Sequence, residues 1–66
     1  MEIDKIKSIL KNSSRNKVYY RDEYNFRVWG ICLNIEVETE NNVNFIRIDN
    51  LSNKVSAEKI IEIRPI

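Results

Sequence analysis

Cys32 is the only thiol in the chain, and there is no histidine. A hydroxyl or thiol nucleophile needs an oriented base, and histidine is the side chain that most often supplies it near neutral pH. No triad containing histidine can be assembled, and no recognisable zinc site either. Without a neighbouring imidazole to lower its pKa, Cys32 reads as a structural residue. Two acidic groups remain, Asp22-Glu23 and the series Glu36, Glu38 and Glu40. Alternate residues of a strand stand about 7 Å apart on one face. Neither group has the ligand spacing of a calcium loop, so both read as solvated carboxylates, and no metal is expected. One glycine is too few for a phosphate-cradling loop or a dinucleotide fingerprint. The chain is therefore expected to be no enzyme and to use no cofactor.

The constellation with most to offer is Tyr19-Tyr20-Arg21, Tyr24, Phe26-Arg27 and Trp29, which places five of the six aromatic residues within eleven positions, with two arginines between them. Aromatic residues and arginine dominate the hot spots of binding surfaces. Tyr19, Arg21, Tyr24 and Arg27 are the candidate partner-binding residues, with Asp22 and Glu23 as a polar rim. Packing should claim at least three of the rings, namely Tyr20, Trp29 and one of Tyr24 or Phe26. The alternative is that bases of single-stranded RNA or DNA stack on Tyr19 and Tyr24, while Lys5, Lys7, Lys11, Arg15, Lys17 and Arg21, together with Arg27, hold phosphates. Against it stand the acidic pair inside the patch and a pI near 7.8. A protein partner is the favoured expectation.

These residues must be positioned by a short chain. Ile3, Ile6, Ile9 and Leu10 fall on one stripe of a helix, predicted from Glu2 to Lys11, with Glu2 and Asp4 in its first turn and Lys11 in its last. Three turns are marginal alone, so the stripe must dock on a sheet. Lys17 to Arg21 has strand composition, and Asp22 to Asn25 has turn chemistry. From Phe26 to Thr39 the pattern predicts one long strand, bent at Gly30, with Trp29, Ile31, Leu33, Ile35 and Val37 facing the core and Cys32 on the less apolar face. Glu40-Asn41-Asn42 is a turn, Val43 to Asp49 a strand and Asn50 to Lys54 a loop. A short helical turn capped by Ser56 then leads into a last strand, with Ile61 and Ile63 on one face and Pro65 ending the pairing.

A helix over residues 1–12 and a four- or five-stranded antiparallel sheet over 17–64, curled into a small barrel, satisfy these elements as one α+β domain. The bent, glycine-containing middle strand and the helical turn at Ser56 to Lys59 resemble SH3-like and Sm-like barrels over about residues 17–64. That resemblance implies a fold and no function. Unpaired edges at Val43 to Asp49 or Lys59 to Arg64 would let a second copy pair as a homodimer.

Composition sets the outer bounds. At 66 residues, with 42% hydrophobic and 32% charged side chains, the chain makes one globular domain. Residues 1–21 carry six basic side chains against two acidic ones, and residues 22–66 five against eight, so a net charge of +1 conceals a polar molecule. The lone cysteine, the lack of a long apolar run and the lack of a leader pattern favour a cytoplasmic location and no membrane partner. Richness in Ile, Asn and Lys suits an AT-rich bacterial or phage gene, and very short genes of that kind often encode regulators or inhibitors of a larger host protein.

Overall fold

The computed structural model describes residues 1–33, 36–49 and 53–66. One helix, α1 (Ile3–Asn12), precedes six strands: β1 (Asn16–Arg21), β2 (Arg27–Cys32), β3 (Glu38–Glu40), β4 (Val43–Ile48), β5 (Asn53–Ser56) and β6 (Ile60–Pro65). They form two three-stranded antiparallel sheets, in the orders β2-β1-β6 and β3-β4-β5. The α+β antiparallel architecture agrees with the sequence expectation. Among the described residues the two sheets do not close into a barrel. No helix among these residues is long and apolar enough to cross a membrane.

α1 forms where its apolar period predicts, with Asp4 in its first turn and Lys11 in its last. Ile6 and Leu10 are fully buried, and Ile3 and Ile9 flank them half-buried. Ser13 turns to extended backbone and ends the helix. The fully buried Asn16 then ties the helix exit to β1 by donating from Nδ2 to the Ser13 carbonyl at 2.8 Å. Both sheets and the helix share one core of Ile6, Leu10, Val18, Cys32, Ile46, Ile48, Val55, Ile60 and Ile63. Burying each large aliphatic side chain contributes roughly 1.5–3 kcal/mol, so a domain this small depends on nearly every member.

The hairpins owe their turns to polar side chains. Asp22 Oδ1 accepts the amides of Tyr24 and Phe26, both at 2.9 Å, and Asn25 takes a φ of 66°. Asn41 and Asn42, at φ 52° and 65°, make a two-residue turn whose twist matches the strands it joins.

Several expectations are corrected. The single strand over 26–39 is two strands, Arg27–Cys32 and Glu38–Glu40, and they belong to different sheets. The chain does cross from one sheet to the other, but beyond Cys32 and not at Gly30, which pairs in regular register with Val18 and has no positive φ. Gly30 does lie close to β4: a Cβ there would stand 2.7 Å from Ile48 Cδ1 and 3.1 Å from Asp49 Oδ1, so a larger residue would make those side chains shift.

The inward set is likewise inverted: Gly30 and Cys32 are buried, Trp29 and Leu33 are exposed, and Ile31 and Val37 are half-buried. Ile35 lies outside the described residues. Of the rings expected in the core, Trp29, Tyr24 and Phe26 are exposed and Tyr20 is half-buried; the buried ring is Phe45. The segment read as a loop to Lys54 contains β5 from Asn53 onward. Ser56 stands before a 3-10 turn, Ala57–Lys59, but its side chain makes no capping bond. Ile61 does not share the buried face of Ile63. A bulge opposite Tyr19 and Tyr20 skips it in the pairing, leaving Ile60 and Ile63 inside and Ile61 exposed. β4 is the central strand of its sheet and offers no edge, whereas β6 is an edge as expected.

One residue couples the sheets. Asp49, at the end of β4 with φ 51°, donates its amide to the Ile31 carbonyl at 2.8 Å and accepts the Ile31 amide on Oδ1 at 3.3 Å. Aspartate tolerates this left-handed backbone better than a branched residue would.

Candidate functional site

The first hairpin has two sides, and the pleat sorts its residues between them. Pairing across the turn aligns Arg21 with Arg27, Tyr19 with Trp29 and Lys17 with Ile31, and on the other flank Tyr19 with Glu62 and Lys17 with Arg64. Val18 and Gly30 point into the core, so Lys17, Tyr19, Arg27, Trp29 and Ile31 share the outer face. Tyr19 sits at the centre of three cations: Arg27 at 4.9 Å, Lys17 at 5.3 Å and Arg64 at 5.5 Å from the ring. Lys17 Nζ also lies 4.1 Å from the Trp29 ring, and that ring is still 56% exposed. Glu62 is the carboxylate within this face, held by Arg64 at 2.9 Å and by Arg27 at 3.9 Å. The hydrogen bond to Glu62, then its charge, raises the pKa of the exposed Arg64 guanidinium.

The opposite side of the hairpin borders an open groove of 760 Å³ that reaches to the second sheet. Tyr20, Val43, Phe45 and Val55 are its apolar lining, with Phe45 and Val55 buried; Arg21, Lys54 and Lys59 line it together with Asp22, Glu23 and Glu40. Burial raises the pKa of the Tyr20 hydroxyl, helped by the charges of Asp49 and Asp22. Lys54 pairs with Glu40 at 3.4 Å and lies over the Phe45 ring at 4.8 Å, and Arg47 pairs with Glu38 at 2.9 Å while covering the same ring at 5.4 Å. Glu38 and Glu40, two of the three strand carboxylates, are thus engaged by cations. At the hairpin tip Tyr24 and Phe26 are 73% and 67% exposed.

The four candidate partner-binding residues therefore do not form one patch. Tyr19 and Arg27 meet on the outer face, Arg21 lines the groove with its Nη1 3.4 Å from the Asn25 carbonyl, and Tyr24 stands free at the tip. Of the basic N-terminal set, Lys17 joins the outer face; Lys5, Lys7 and Lys11 are exposed on α1, and Arg15 is exposed on the link. Trp29 belongs to the aromatic-arginine constellation but is expected in the core, and the sequence gives Arg64, Val43 and Phe45 no binding role. Trp29 could have been placed on the outer face, because a strand facing Val18 inward and paired through a five-residue loop puts residue 29 on Tyr19's side. The chain matches no known protein family, no curated protein and no solved structure.

Proposed function

We propose that this chain is a small non-enzymatic protein-binding module that takes a polypeptide segment of its partner in the groove beside the first hairpin, and so regulates or inhibits a larger protein in the cytoplasm. The observation that carries the reading is the groove itself. Its apolar surface is ringed by charges of both signs that cancel, a setting suited to a neutral polypeptide with its own polar backbone. Tyr24 and Phe26, exposed at the hairpin tip next to the groove's Arg21, Asp22 and Glu23 in sequence, are the aromatic anchors proposed for a bound chain.

We further propose that the two sheets are the walls of an open SH3-like or Sm-like barrel. Supporting it are the crossover between β2 and β3, the Asp49–Ile31 bonds and the 3-10 turn before the last strand. The outer edge of β6, with Ile61 and Ile66 exposed beside it, is where a second copy could pair.

Affinity capture from lysate, comparing wild type with Val43→Glu and with Tyr24→Ala/Phe26→Ala, tests the reading. A protein enriched by wild type should be lost with both variants while their melting temperatures stay close to that of wild type. Identical catches would remove the groove from consideration.

A further inference from the structure

We propose that the outer face of the first sheet binds single-stranded nucleic acid, with bases stacking on Trp29 and Tyr19 and phosphates held by Lys17, Arg27 and Arg64. The surface is distinct from the groove and the inference does not rest on it. Tyr19 and Trp29 are direct cross-strand partners, which places their side chains about 5 Å apart on one face. Three cations surround them against one carboxylate, and Glu62 is already held by Arg27 and Arg64.

Among the described residues no carboxylate pairs with Lys17, although its ammonium lies over the open Trp29 ring. A cation with no acidic partner, beside an exposed indole, is matched in charge and shape by a phosphate with its base. Duplex bases are hidden from a flat sheet, so the strand must be single.

The two features that argue against nucleic acid at the sequence level are answered by placement. Asp22 and Glu23 lie on the groove side, and Asp22 is committed to the turn. The near-neutral pI is a whole-chain value: the ten acidic residues are spread along the chain, and Glu38 and Glu40, on the second sheet, are paired there with Arg47 and Lys54. The outer face keeps its local excess of positive charge.

The test uses fluorescently labelled oligo(dT) and oligo(U) of about twelve nucleotides, within the site sizes small domains cover. Anisotropy is read alongside the emission of Trp29, the chain's single tryptophan. Binding at low salt should quench Trp29 and weaken about a hundredfold for a tenfold rise in salt, the slope expected for three phosphate contacts on a single strand.

Trp29→Ala should lose about tenfold or more and Trp29→Phe only a fewfold, because any aromatic ring can stack. Lys17→Ala and Arg64→Ala should each lower the salt slope by about 0.7, the share of one phosphate contact on a single strand. Val43→Glu should leave oligonucleotide binding unchanged, which separates this surface from the groove. Three outcomes would overturn the proposal: no binding at low salt, binding without quenching that Trp29→Ala leaves intact, or equal binding of poly-glutamate, which would assign the face to an acidic protein.

Discussion

On one side of the first hairpin, Lys17, Arg27 and Arg64 outnumber Glu62 around Tyr19 and Trp29; on the other, Arg21, Lys54 and Lys59 are matched by Asp22, Glu23 and Glu40 around Tyr20 and Phe45. Both regions place cations over aromatic rings, yet with opposite results. Phe45 is 6% exposed, and the two cations over it are paired with Glu38 and Glu40. Trp29 is exposed, and among the described residues the Lys17 over it has no paired carboxylate. At Phe45 the paired cations lie over a buried ring and the exposed apolar part of the groove is left to Tyr20 and Val43, whereas at Trp29 the exposed ring is itself the surface.

The sharpest way to break this comparison is to truncate one ring of each kind. Phe45→Ala should cost about 3 kcal/mol, since a buried ring is lost together with the packing of the Arg47 and Lys54 stems. Trp29→Ala should stay within about 0.5 kcal/mol, as surface substitutions usually do. Urea midpoints of the two variants check both, and similar losses would refute the division of roles.

A second substitution should disturb both regions together. Gly30→Val would drive a side chain into Ile48 Cδ1, the core contact that brings β4 against β2. Ile48 is nearly fully buried and has little room to yield, so the expected loss is about 2 kcal/mol. A melting temperature unchanged from wild type would show that the sheets can separate without cost.

The smallest effect concerns Tyr20. The folded state holds its proton more tightly than the unfolded chain, through burial first and then the charges of Asp49 and Asp22. Above the ordinary tyrosine pKa of about 10 the unfolded chain binds fewer protons, so stability falls as pH rises through that value and toward the raised folded one. Tyr20→Phe should lose less stability than wild type between neutral pH and about pH 11. Parallel pH profiles would place Tyr20 outside the groove's electrostatics.

The site was legible in part. Tyr19 and Arg27 are legible because aromatic and arginine residues concentrate in the hairpin, and the neighbouring Val18 points inward. Trp29 was assigned to the core because bulk and hydrophobicity favour burial on average. That average fails in β2, where both alternating sets contain apolar residues and periodicity alone cannot choose between them. Close passage of Ile48 over Gly30 makes the choice.

What the sequence determined by itself was local: the helix from its 3.6-residue stripe, the turns from Asp22, Asn25, Asn41 and Asn42, and the approximate places of β1, β4 and β6. Those signals act within a few residues, through hydrogen bonds and backbone preferences that a short window contains. Tertiary structure decided which face of β2 is buried, where the chain leaves one sheet for the other, and that Ile61 is skipped by a bulge. Each of these depends on a partner distant in the chain, Ile48 and Asp49 for β2 and Tyr19 with Tyr20 for β6, and contacts of that kind are set by the packing of the whole core.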